Sequence, residues 1–88
     1  METGRRLILA DGTTIEDGEA GQAAGFLWLY IPGLNMREVA DAVLDEEKTA
    51  EIRFEYGEMA DTYTGYTECR SINRDWDGRI SVCMVKGE

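Results

Sequence analysis

Six bulky residues stand in a row at Phe26-Leu27-Trp28-Leu29-Tyr30-Ile31, and Pro32-Gly33 ends the run. A strand with one wet face alternates apolar and polar residues. An unbroken run suits a central strand covered on both faces. It falls far short of the roughly 20 apolar residues a membrane helix needs. The chain must therefore build a sheet around this segment, and the other elements are placed relative to it.

Ahead of the run, Arg6–Ala10 is short and β-rich, and Asp11-Gly12 is a strong hairpin signal. Thr13–Asp17 reads as the return strand, with Ile15 as its apolar residue. Residues 18–25 are rich in glycine, alanine and acids and read as a loop. After the run, Asn35 is placed as a helix N-cap, with Glu38 three residues on as in a capping box. Met36, Val39, Ala40, Val43 and Leu44 share one helical face, while Arg37, Asp41 and Asp45 share the other. Asp45–Ala50 reads as a further helical turn.

From Glu51 the period becomes two, with Ile52, Phe54 and Tyr56 alternating with charges. Gly57–Asp61 interrupts the pattern. Thr62–Asn73 reads as one long strand whose apolar residues change face, which predicts a β-bulge near Gly65 or Thr67–Arg70. Arg79–Lys86 is the last strand. These elements predict an α+β fold in βββαβββ order. Its expected architecture is one mostly antiparallel sheet of five to six strands with one amphipathic helix packed on it.

At 88 residues the chain is one domain, 1–88, with residues 1–4 read as a loose end. A chain this short buries only about 60–65% of its unfolded surface. Its core is thin, and oligomerisation is expected. Arg5-Arg6 followed by Leu7–Ala10 imitates the start of a signal peptide, but Asp11 and Gly12 cut the apolar stretch short. The expected site of the newly made chain is the cytoplasm, with no membrane association.

Eighteen acids against nine bases give a net charge of −9. Direct nucleic-acid binding through phosphates needs surplus Lys and Arg and is not expected. Arg70, Arg74, Arg79 and Lys86 do gather near the C-terminus. They alternate with Glu68, Asp75, Asp77 and Glu88, as on a mixed solvated surface. Cys69 and Cys83 form no C-x-x-C pair and read as buried thiols within one hairpin. Histidine is absent, which removes the commonest general base. Phosphate-binding glycine loops, dinucleotide fingerprints and nucleophile elbows are absent too. Neither enzymatic activity nor a cofactor is expected.

One stretch carries candidate chemistry. In Asn73-Arg74-Asp75-Trp76-Asp77-Gly78-Arg79-Ile80-Ser81, the oxygen-bearing Asn73, Asp75 and Asp77 fall at positions 1, 3 and 5 of a calcium loop. Gly78 falls at the bend and Ile80 at the usual aliphatic position. The match ends at position 12, where calcium wants a bidentate Glu and the chain has Met84. The competing reading is a type I turn with Gly78 in the left-handed region as a G1 bulge. That register places Asp75 opposite Arg79 and Ile72 opposite Val82. Elsewhere, Asp41, Asp45, Glu46 and Glu47 read as an acidic solvated helix face. Tyr63, Tyr66 and Trp76 are candidates for an exposed aromatic interface, since Tyr and Trp are favoured at contact surfaces.

The overall pattern also resembles a known group. It comprises Leu9-Ala10-Asp11-Gly12-Thr13, a short acidic helix ending near Glu47-Lys48-Thr49, Arg53-Phe54-Glu55-Tyr56-Gly57, Tyr63-Thr64-Gly65-Tyr66-Thr67, and a final Asp77-Gly78 hairpin with a Lys-Gly-Glu tail. It is similar to small prophage-encoded proteins of Gram-positive gut bacteria. The resemblance covers most of the chain at the level of pattern and brings no site residues. It implies a phage-associated accessory or structural role and, with that role, incorporation in a phage particle.

Three functions are therefore open on sequence. The first is a non-enzymatic interaction or structural module working by sheet-edge or aromatic contacts with a protein partner or a second copy. The second is a calcium-dependent binding module using Asn73, Asp75 and Asp77. The third is an acidic mimic of nucleic acid that blocks a DNA-binding protein.

Overall fold

A computed structural model of the chain describes residues 4–87. The expectation for residues 1–4 lies mostly outside this range, as does Glu88. Gly4 is tied in, its carbonyl accepting from the Gly57 N–H at 3.1 Å.

Among the described residues, eight strands fall into two four-stranded antiparallel sheets. They are β1 (Arg5–Ile8), β2 (Thr14–Glu16), β3 (Glu19–Ala23), β4 (Phe26–Ile31), β5 (Glu51–Tyr56), β6 (Met59–Thr64), β7 (Glu68–Arg74) and β8 (Ile80–Val85). Between β4 and β5 lie two short helices, α1 (Met36–Val43) and α2 (Glu46–Thr49). One sheet runs β2-β1-β5-β6 and the other β3-β4-β8-β7. Each is a pair of hairpins joined along its inner strands, β1 to β5 in one and β4 to β8 in the other. This corrects the expected single sheet of five to six strands with one helix: the fold is mostly β.

The division has local causes. At Asp17, whose φ is +62°, the chain leaves the first sheet, and Glu19 opens the second. An L-residue is costly there, though Asp tolerates the left-handed region better than most. Residues 18–25, expected as a loop, contain β3 and its turn. Ala24 and Gly25 both have positive φ, the signature of a two-residue type I′ turn. The segment expected as one long strand, Thr62–Asn73, is instead β6 and β7 in different sheets, with Gly65–Thr67 crossing between them. The expected bulge is present within β7. Cys69 pairs with Met84 and Ser71 with Cys83, so Arg70 is the extra residue.

A single core lies between the sheets. Leu7, Ile15, Ile52 and Phe54 come from one sheet, and Leu27, Leu29, Ile31, Ile80, Val82 and Met84 from the other. Burying a side chain of this kind contributes about 1.5–3 kcal/mol. The run Phe26–Ile31 is a central strand as expected, but its two faces differ. Leu27, Leu29 and Ile31 are buried, while Phe26, Trp28 and Tyr30 are half-buried. Cations rest on this outer aromatic face: Arg70 lies 5.1 Å from the Phe26 ring centre and Arg79 5.5 Å from that of Tyr30.

The helix begins as its sequence dictates. The Glu38 N–H donates to Asn35 Oδ1 at 2.8 Å, and the Asn35 N–H donates to Glu38 Oε1 at 3.0 Å. Val39, Ala42 and Val43 face the core, and Leu44 turns outward. The buried stripe is thus rotated slightly from the expected one. Asp45 caps α2 and its carbonyl accepts from the hydroxyl of buried Thr49. Among the described residues, no buried side-chain nitrogen or oxygen lacks a partner.

Candidate functional site

The calcium-like stretch is a hairpin turn. The Asp75 N–H donates to the Arg79 carbonyl at 2.7 Å, and the Gly78 N–H donates to the Asp75 carbonyl at 3.0 Å. Gly78 has φ +89°, as a G1 bulge requires. The first hairpin repeats the same geometry. There the Leu9 N–H donates to the Thr13 carbonyl at 2.8 Å, the Gly12 N–H donates to the Leu9 carbonyl at 2.9 Å, and Gly12 has φ +92°. The aspartate before each glycine does one job. Asp11 Oδ1 accepts from the Thr13 N–H, and Asp77 Oδ1 from the Arg79 N–H, both at 3.0 Å. Asp75 Oδ2 accepts from the Ser81 hydroxyl at 2.9 Å. Two of the three candidate ligands, Asp75 and Asp77, are thus occupied in closing the turn, and the third, Asn73, is exposed in β7 opposite Ser81. Ile72 pairs with Val82, as the turn register predicts.

The three candidate interface aromatics do not form one patch. Trp76 is 98% exposed at the turn tip. Tyr66 is only 5% exposed, and the Gln22 side-chain amide donates to its hydroxyl. Burial withdraws Tyr66 from the expected exposed surface. Tyr66 and Tyr63 lie together near the other end of β8, about 17 Å of strand away from Trp76.

That second location is the better formed. Gln22, Asp61, Tyr63, Tyr66 and Lys86 line a groove of about 480 Å³ along β6. The Tyr56 hydroxyl donates to Asp61 Oδ2 at 3.0 Å, which raises the tyrosine's pKa. Burial, and then the charge of Asp61, raises that of Tyr63. Lys86 Nζ lies 5.5 Å from the centre of the Tyr66 ring.

The edge of β6 itself carries unused hydrogen-bonding groups. Bonded and non-bonded pairs alternate in an antiparallel ladder. The Gly65 N–H donates to the Ala50 carbonyl at 3.1 Å, which fixes the phase. Counting back, Tyr63, Asp61 and Met59 bond inward to β5, and Ala60, Thr62 and Thr64 direct their N–H and C=O groups outward. The other edges are blunted. β2 has three residues, β7 is bulged at Arg70 and packed against α1, and β3 carries Gly21 at its centre and touches β1. β6 has six residues in unbroken register, without proline or lysine, and all but Tyr63 are exposed. Short length, proline, lysine and bulges are among the usual protections of an edge, and β6 has none of these; its one protective charge is Asp61, paired with Phe54.

This edge is missed when the sequence is read alone, because Gly57–Asp61 looks like a break. The signal is Gly57, at φ +60°, between two β-prone runs that pair as Tyr56 with Met59.

A second groove of about 830 Å³ lies beside the helices, lined by Ala40, Asp41, Leu44, Asp45, Glu68 and Cys69 among others. Among the described residues, no three Asp, Glu, Cys or His side chains converge as a metal site would require. Cys69 and Cys83 are unbonded thiols, Cys83 buried and Cys69 half-buried; burial raises the pKa of Cys69. No described helix is long and apolar enough to cross a membrane. No family model matches the chain, and no curated protein or solved structure is significantly similar to it.

Proposed function

We propose that this protein is a non-enzymatic interaction module that binds an extended protein segment as an added strand on β6. The observation that carries this reading is the open edge at Ala60, Thr62 and Thr64, where backbone donors and acceptors project along an unbroken strand. In strand addition the main chain supplies affinity, and pockets for alternate side chains supply specificity. The groove at Tyr63, Tyr66 and Lys86 lies where such side chains would fall. The resemblance to prophage-encoded proteins suits a module of this kind as an accessory or structural part of a phage particle.

The test is selection from a displayed library of extended peptides, followed by measurement on Thr62→Pro. The Thr62 N–H points away from β5, so proline removes an outward donor and leaves the ladder whole. Selected peptides should bind the variant at least about tenfold more weakly. Failure to enrich any peptide, or equal binding to the variant, would count against the proposal.

A further inference from the structure

The β6 edge also says what can occupy it, and this inference rests on the strand-addition reading above. We infer that a second copy of the chain pairs with it, β6 against β6 across a two-fold axis at Thr62.

Backbone phase limits how two such edges can meet. Only Ala60, Thr62 and Thr64 present outward groups, so an antiparallel self-pairing must match these residues with one another. Three registers retain most of the strand. One centres on Asp61 and sets the two Asp61 carboxylates face to face, where like charges destabilise. One centres on Tyr63 and leaves Ala60 without a partner. The third centres on Thr62. It pairs Ala60 with Thr64 twice and Thr62 with its copy. It also sets each Asp61 opposite a neutral Tyr63 and not opposite another carboxylate. Thr–Thr pairs are favourable across strands.

The same register brings opposite charges together at both ends. Glu58, exposed in the β5–β6 turn, comes to the end of the pairing where β6 of the second copy gives way to Gly65–Thr67. Lys86 lies over the Tyr66 ring at that end, so each Glu58 faces the end that carries a lysine, twice by symmetry. Met59, another exposed apolar side chain, comes level with Gly65 of the second copy, where a side chain on the glycine would meet nothing within 4 Å. The result is one continuous eight-stranded sheet, β2-β1-β5-β6 followed by its two-fold copy.

The contact is smaller than a standard interface, so association is weak and belongs at high concentration. Each copy carries −9, but at about 0.15 M salt charges more than about 8 Å apart are largely screened. The experiment is sedimentation velocity at that ionic strength, from about 10 µM to about 1 mM. Wild type should move toward twice the mass of one chain, and Thr62→Pro should stay monomeric. Glu58→Lys and Lys86→Glu should each weaken the dimer about fivefold, and the double variant should restore it. The charge pair keeps the test valid if the proline variant fails to fold. A wild type that remains monomeric while selected peptides still bind β6 overturns self-pairing and leaves strand addition standing. A dimer indifferent to both the proline and the charge exchange overturns self-pairing at this edge.

Discussion

Gly18 lies against Leu7 so closely that an added Cβ would come within 2.9 Å of both Cγ and Cδ1 of the leucine. Leu7 is fully buried at the centre of the first sheet, and Gly18 is where the chain crosses to the second. Gly18→Ala should therefore destabilise by about 1–3 kcal/mol through overpacking. The urea midpoint measures it. Gly21→Ala is the control, because its Cβ would meet nothing within 4 Å.

Gly78→Ala tests the last hairpin turn. The position has φ +89°, and a side chain there should cost about 1–2 kcal/mol. The turn closes through the hydrogen bonds of Asp75 and Asp77, so the loss should be equal in calcium and in EDTA. A larger loss in calcium, seen in thermal melts, would return Asn73, Asp75 and Asp77 to consideration as ligands.

Ala24 offers the opposite sign. It sits at φ +54° in the β3–β4 turn, beside Gly25 at φ +83°. Such turns prefer Asn-Gly, so Ala24→Asn should stabilise by about 0.5–1 kcal/mol. Chemical denaturation of the two proteins gives the difference.

Glu55 predicts the acid limb of stability. Hydrogen bonds from Arg53 and then Arg6, reinforced by their charges, hold its carboxyl below the usual glutamate range. A depressed carboxyl contributes stability above its unfolded pKa and loses it as pH falls through the folded pKa. The urea midpoint should drop below about pH 4.3 and continue to drop beneath the ordinary glutamate range. Glu55→Gln should flatten that part of the profile. Both arginines are exposed, so the effect should shrink in high salt.

Local signals were legible in the sequence. Asn35 with Glu38 marked the helix start, Asp11-Gly12 and Asp77-Gly78 marked two hairpins, and the latter fixed Ile72 against Val82. The separation into two sheets was not legible, because it depends on β1 choosing β5 and β4 choosing β8. Those partners lie far apart in the chain, beyond the reach of local patterning. β3 was missed because Glu19-Ala20-Gly21-Gln22-Ala23 has weak strand propensity of its own and is held by β4. The calcium spacing had a local cause as well, since the residues that suit a metal loop also suit a tight turn.

The way the hairpins are joined has a consequence in time. The four hairpins connect neighbours in the chain and can form within about 1–10 µs. The two seams cannot. Leu7 meets Phe54, and Leu29 meets Val82, across roughly fifty residues of intervening chain. Hairpins must therefore form and dissolve repeatedly before either seam closes. Refolding should run in milliseconds to seconds, and variants at Leu7 or Leu29 should slow it more than changes at the turns.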